Sequence, residues 1–280
     1  MLRVWVRWII DKRMVDISKY FTEENIKSIE HGIVLYEFDD ARKDEFIAEM
    51  LIPIRKAFLS DEQLNDELAS EPNREEIIQD HLPTAPEMMS GDFGEALGYY
   101  FAYSFFKPTP NVCPFKLRYL NDVNKPSPLT DIVFFYSEFP DRCSPNDVRY
   151  SLEVKTRATN PGSASSIDEA IEHAHKDELS RAAETVPYLK TRIRANKEPK
   201  EMYKIVKRFG EDAYQDIFQK SCNALAVVDK GYLQKHITNI SDETKGKLDT
   251  DYAKIHIFCM PIAELKQMYE EFYKLMPTNT

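Results

Sequence analysis

The run Asp131-Ile132-Val133-Phe134-Phe135-Tyr136 constrains this chain more than any other stretch. It is too apolar for a surface strand, whose side chains alternate between core and solvent, and long enough for a strand buried on both faces. Any fold that contains it must cover it from above and below. Pro126, Pro128 and Pro140 bracket it, and Pro145 and Pro161 bracket a second strand-like run, Tyr150-Ser151-Leu152-Glu153-Val154-Lys155-Thr156. No proline falls inside either run, so both start and stop cleanly.

The second run carries a charge pattern. Side chains on a strand alternate with a period of two, which puts Glu153 and Lys155 on one face and Leu152 and Val154 on the other. The triplet by itself is weak, because Glu-x-Lys occurs four times, at Glu153, Glu198, Glu243 and Glu264. Pro199 follows Glu198, Glu243 sits in the polar run 241–246, and Glu264 belongs to a helical pattern after Pro261. Only Glu153 lies in a strand. If the two runs are neighbours, Asp131 and Glu153 converge, and hard carboxylate oxygens suit Mg²⁺, which takes one or two of them and completes its shell with water and phosphate oxygens. Lys155 beside them can orient a nucleophilic water, help deprotonate it or balance charge on a phosphate. The bland alternative is a same-face ion pair worth at most about 1 kcal/mol.

Upstream, Gly91-Asp92-Phe93-Gly94-Glu95-Ala96-Leu97-Gly98-Tyr99-Tyr100-Phe101 reads as the opening of an apolar helix, with Asp92 as its N-cap in preference to a ligand and Gly94 and Gly98 permitting close packing. Glu95 is a further metal-facing carboxylate or an acid favoured by the helix dipole. His173 and His175 are two apart on a helix, face different directions and read as surface or satisfied core histidines.

These residues resemble the PD-(D/E)xK nuclease superfamily, whose core is a helix, a three-strand antiparallel meander, a second helix and a further strand. On that resemblance Phe115 to Leu120 is the first strand, the Asp131 and Glu153 runs are the second and third, Ser166-Ile167-Asp168-Glu169 has capping-box spacing for the second helix, and Asn223 to Asp229 is the following buried strand. Thr130 stands where the motif has proline, a position that carries no ligand. The resemblance implies a mixed α/β (α+β) fold with a restriction-endonuclease-like core, a central mixed sheet flanked by helices. It also implies catalytic residues Asp131, Glu153, Lys155 and Glu95, with Asp131, Glu153 and Glu95 holding Mg²⁺ or Mn²⁺. Hydrolysis would leave a 5′-phosphate and a 3′-hydroxyl. Because its metal-facing side contributes little packing, Glu153→Ala or Lys155→Ala is expected to abolish cutting without harming the fold.

A narrower resemblance, on Gly94-Glu95, Thr130 to Phe134, Leu152 to Lys155 and the overall length, is to the HamA family, nuclease subunits of the Hachiman anti-phage defence system. It implies a DNA nuclease in a hetero-complex with a helicase subunit (HamB-like), restrained until infection. The alternatives are a catalytically inactive nucleic-acid-binding or scaffold subunit of the same fold, and a stand-alone restriction or repair nuclease. The residues leave DNA and RNA, single and double strands, open.

Composition agrees with a cytoplasmic enzyme. The 280 residues suffice for one elaborated domain or two small ones, and the polar run 60–73 followed by Pro83-Thr84-Ala85-Pro86 suggests an N-terminal α/β extension over 1–85 and a nuclease-like domain over 86–280. In the extension, 31–38 reads as a strand and 41–59 as an amphipathic helix. The C-terminal part reads as a strand over 254–260 and a helix over 262–276. Cys113, Cys143, Cys222 and Cys259 form no CxxC pair, so neither zinc nor a disulfide framework is indicated. Arg3 and Arg7 interrupt the apolar opening Met1 to Ile10, which reads as a strand and not a signal peptide. No stretch approaches the roughly 20 apolar residues of a membrane span.

A net charge of −10 argues against nucleic acid, where phosphate contacts come from Lys and Arg. Yet between Pro187 and Arg208 eight basic residues face only Glu198 and Glu201. Lys190, Arg192, Arg194 and Lys197, with Tyr188 and Tyr203 nearby, are therefore candidate nucleic-acid contacts, or simply a solvated helical face.

Overall fold

The computed structural model describes residues 14–126, 128–196 and 198–280; the strand reading of Met1 to Ile10 lies outside them. Two short strands, β1 (Ile26–Ser28) and β2 (Ile33–Tyr36), precede four helices: α1 (Lys43–Phe58), α2 (Asp61–Leu68), α3 (Arg74–Asp80) and α4 (Pro86–Phe105). Strands β3 (Ile132–Tyr136) and β4 (Val148–Arg157) follow, then α5 (Ser166–Lys176), α6 (Ala182–Ala195) and α7 (Lys200–Phe209). β5 (Gln219–Asp229), α8 (Leu233–Thr238), α9 (Asp242–Lys247), β6 (Ile255–Ile262) and α10 (Leu265–Asn279) complete the chain. This is the mixed α/β architecture expected, a central mixed sheet flanked by helices.

Among the described residues six strands form one sheet in the order β1-β2-β6-β5-β4-β3. β4, β5, β6 and β2 run parallel, and β1 and β3 are antiparallel edges. β5 is flanked on both sides, and the run Ala224 to Val228 is inaccessible to solvent, which is why it reads as unbroken hydrophobics. β2 joins the sheet through β6, so the first part of the chain extends the same sheet, and one apolar core runs from Ile17 to Met276. No helix among the described residues is long and apolar enough to cross a membrane.

The sheet's two faces differ. On one, α4 lies across β4 beneath α1 and α10, apolar on nearly every side because it is covered on nearly every side. A Cβ at Gly94 would stand 1.7 Å from Thr156 Oγ1, and one at Gly98 would stand 2.8 Å from Ile132 Cδ1, so these glycines set the helix directly on β3 and β4. On the other face α5 covers β5 and β6 with Ile167, Ala170, Ile171 and Ala174, while α6 and α7 cover β3 with Val186, Leu189, Ile193 and Phe209. Between these two apolar patches the β4 side chains are polar: Arg149, Ser151 and Glu153, all buried.

Three local readings are corrected. Phe115 to Leu120 is not a strand; Lys116–Tyr119 is a 3-10 turn. Its four side chains are all buried, two of them cationic, and a strand's strict alternation cannot send Lys116 Nζ to the carbonyls of Pro128 (3.0 Å) and Thr130 while Arg118 Nε reaches Lys56 O (2.6 Å). All that remains of a first meander strand is a single bridge between Val112 and Phe135. Second, α4 begins at Pro86, a proline suited to the first helical turn, so Asp92 lies inside the helix and caps nothing. Third, the cap of α5 is Ser165, whose hydroxyl accepts from the Asp168 N–H, one residue before the spacing suggested.

Candidate active site

Antiparallel pairing of Ile132 with Leu152 brings the start of β3 against the second half of β4. Asp131, just before β3, turns its carboxylate onto that strand, and Oδ2 accepts the Val154 N–H at 2.9 Å. Glu153 is 2% exposed, and both its oxygens are engaged. Oε1 accepts from Lys155 Nζ at 2.6 Å and His173 Nδ1 at 3.0 Å, and Oε2 accepts from Arg181 Nη2 at 2.7 Å. Burial opposes the Glu153 charge, but the His173 hydrogen bond and the Lys155 and Arg181 charges outweigh it and hold the carboxyl down at about 2. Lys155 shows the mirror effect: burial disfavours its charge, yet Asp131 and Glu153 keep its ammonium above the ordinary lysine range.

Arg181 comes from a π-helical turn, Asp177–Arg181, that joins α5 to α6. Its Nε donates to Asp177 Oδ1 at 2.7 Å, and the same oxygen accepts the Thr130 hydroxyl at 2.9 Å. Burial, reinforced by Glu153, pushes Asp177 up to about 7. Thr130 is thus tied down beside Asp131 by its hydroxyl and by its N–H, which donates to Thr185 Oγ1 at 3.3 Å.

A second set of acids approaches Asp131 from α4. Glu95 is 5% exposed and accepts one hydrogen bond, from Tyr99 OH at 2.7 Å. Burial raises it to about 8; Lys116 opposes the rise, and Asp131 and Asp92 add to it. Burial and Asp131 raise Asp92 to about 7, and its Oδ2 is buried without a partner. Asp131 itself is raised by burial and by Glu153.

Asp131, Glu153 and Lys155 therefore meet at one end of the sheet, with Glu95 on the opposite side of Asp131. Among the described residues no three His, Cys, Asp or Glu side chains already converge as a metal cage. The donor chemistry nevertheless suits a hard divalent cation. Asp131, Glu95 and Asp92 repel one another, one buried carboxylate oxygen is orphaned, and Glu153 offers a further pair of oxygens once a donor yields. The expectation that this side of β4 contributes little packing is corrected for Glu153, which is buried and linked to three side chains.

The basic candidates lie farther along α6. Lys190 and Arg194, four apart, share one stripe, whereas Arg192 points elsewhere, to Asn121 Oδ1 at 3.2 Å and over the Tyr188 ring. Lys197 is outside the described residues. His173, read as a surface or satisfied core histidine, instead bonds Glu153; Asp177 and Arg181 were not singled out, although the spacing of the three held a signal. The inner stripe of α5, through Ile167, Ala170, Ile171 and Ala174, continues as three polar residues spaced by four. His175 does face away, toward Glu178 and the Tyr252 ring.

A family model described as HamA matches residues 9–276, nearly the whole chain. No curated protein matches it. The chain belongs to the HamA family.

Proposed function

We propose that this HamA-family chain is a metal-dependent deoxyribonuclease, the effector subunit of a bacterial anti-phage complex that includes a helicase partner. Family membership makes it a component of Hachiman defence; the nuclease chemistry, the partner and a cytoplasmic location are our reading. The observation that carries it is the meeting of Asp131, Glu153 and Lys155, with Lys155 Nζ 2.6 Å from Glu153.

Asp131 and Glu153 would hold Mg²⁺ or Mn²⁺, with Glu95 supporting. Bound there, the cation would polarise the phosphate and make the attacking water more acidic. Lys155, beside both carboxylates, would orient the water, help its deprotonation or balance charge on the phosphate. Thr130 and the Val154 N–H fix Asp131 so that the carboxylate is already aimed when substrate arrives. Attack of water oxygen on phosphorus forms one P–O bond and breaks the bond to the 3′ oxygen, which takes up a proton and leaves as the 3′-hydroxyl. DNA affinity can come from Arg192 and its neighbours or from the partner, which suits a chain of charge −10.

A second reading, an inactive nucleic-acid-binding or scaffold subunit, draws support from the saturation of both Glu153 oxygens. Plasmid cleavage separates the two. The purified chain, alone and with the product of the neighbouring gene, is assayed in Mg²⁺, Mn²⁺ or EDTA beside Lys155→Ala. Metal-dependent cutting lost in the variant supports the nuclease; no cutting under any condition, with binding intact, supports the scaffold.

A further inference from the structure

We infer that Arg181 is a catalytic residue, its guanidinium contacting the scissile phosphate while Asp177 holds it in place; this rests on the nuclease reading above. The π-helical turn Asp177–Arg181 is the starting observation, because such turns are short, rare and common at functional sites. It aims Arg181 at Glu153 from the helical layer and sets Asp177 behind it. Arg181 bridges Glu153 Oε2 and Asp177 Oδ1, both at 2.7 Å, through different nitrogens.

Those two contacts differ in kind. Asp177 is buried and separately anchored by the Thr130 hydroxyl, so the Nε edge of the guanidinium stays put whatever happens at Glu153. Nη2, in contrast, sits on an oxygen that Glu153 must free in order to bind a cation. Lys155 and His173 share the other oxygen, and among the described residues no second carboxylate lies in hydrogen-bond reach to hold them. Of the three donors, Arg181 alone is built to release Glu153 without moving away.

Released, Nη2 lies beside the carboxylates that bind the reacting group. The Arg181 side chain is partly exposed, as is that of Lys155 on the other Glu153 oxygen, so the two cations flank the carboxylate at the mouth of the site. A guanidinium offers five donors in a planar fork that matches two phosphate oxygens, which an ammonium cannot do. Lys155 serves the water side, and Arg181 serves the phosphate oxygens that gain charge as the P–O bond to the leaving group breaks. Asp177 is a positioning residue.

The test pairs turnover with metal affinity measured without nucleic acid. Arg181→Ala is expected to lower kcat about 100-fold or more while KM changes little, and added guanidinium to restore part of the loss. Asp177→Asn lowers kcat less, also without moving KM. By calorimetry, Arg181→Ala binds Mn²⁺ several-fold more tightly than the wild type, because Glu153 Oε2 is released and a nearby positive charge is gone. Opposite signs in the two arms are not what a structural ion pair produces. Unchanged or weaker Mn²⁺ binding, or unchanged cutting by Arg181→Ala, overturns the inference and leaves the nuclease reading standing. Absence of cutting by the wild type with either metal and the neighbouring product defeats the nuclease reading, and the role of Arg181 in turnover falls with it.

Discussion

The acids on the two sides of Asp131 are placed in opposite electrostatic conditions. Glu153, under the α5–α6 layer, has Lys155, His173 and Arg181 on its two oxygens and is held down at about 2. Glu95, under α4, has one tyrosine hydroxyl and rises to about 8, and neighbouring Asp92 has a buried oxygen with no partner at all. Lys116 lies close enough to offset part of this charge but spends its hydrogen bonds on the carbonyls of Pro128 and Thr130. One half of the site is closed by its own cations; in the other the nearby cation, Lys116, is bonded to carbonyls and not to the acids. A divalent cation at Asp131 would relieve the second half and compete with the first.

The sharpest way to break that contrast is to neutralise one acid at a time. Glu153→Ala leaves Lys155 and Arg181 facing a buried void, and removing one member of such a network costs about 3–5 kcal/mol. Its urea unfolding midpoint should fall well below that of Lys155→Ala, which keeps Glu153 paired with Arg181 and His173. Glu95→Gln should move the other way in EDTA, raising the midpoint modestly, because it removes a buried carboxyl that has too few partners. Equal destabilisation by Glu153→Ala and Glu95→Gln would erase the proposed asymmetry.

Gly94 tests whether the α4 half depends on close approach. Ala at this position puts a methyl 1.7 Å from Thr156 Oγ1, so helix or strand must shift, at a cost of about 1–3 kcal/mol. Thr156→Ala removes the obstructing hydroxyl and should recover part of that loss in the double variant. Full additivity of the two changes would show that the helix does not sit where its glycines place it.

Glu153 responds to pH oppositely to Glu95 and Asp92. Glu95, about 8 when folded against an ordinary 4.5, and Asp92, about 7 against 3.8, have raised values. Their contribution to stability is complete below the ordinary values and is lost as pH rises through about 7 to 8. Glu153, about 2 against 4.5, contributes stability above about 4.5 that is lost as pH falls toward 2. Unfolding midpoints in EDTA should therefore decline from about pH 4.5 to about pH 8, more gently in Glu95→Gln, and the acid-side loss should shrink in Glu153→Gln. A midpoint that rises toward pH 8 would place the unpaired acids elsewhere.

The sheet and the outline of the site were legible because their signals are local. Ile132 to Tyr136, Leu152 to Lys155 and Ala224 to Val228 show burial and strand period within a few residues. Phe115 to Leu120 looked equally strand-like, but Lys116 and Arg118 donate to the carbonyls of Pro128, Thr130 and Lys56, residues distant in sequence whose positions no local pattern reports. Asp92 beside Gly94 read as a cap because the true start, Pro86, lies two turns earlier in a segment whose Gly91 and Ser90 weaken the helical signal. Arg181 and Asp177 escaped for a further reason. Their partners, Glu153 and Thr130, come from strands and loops 28 and 47 residues away, and only the folded π turn makes the four residues neighbours.

The smallest expected effect concerns the basic stretch. Arg192 stands apart from Lys190 and Arg194, stacked over Tyr188 and bonded to Asn121 in the loop that leads through Thr130 to Asp131. If a strand leaves the site along this edge, Arg192→Ala in a Lys155→Ala background should weaken oligonucleotide binding uniformly and reduce the salt slope by about 1. The double change Lys190→Ala with Arg194→Ala, on a different stripe of α6, should alter the slope less. Anisotropy titrations across a salt series measure both. An unchanged slope in Arg192→Ala would make the run a solvated face, and the acidic chain would then depend on its partner for hold on DNA, with the undercharged half of the site as its own remaining attraction for a cation and not for a phosphate.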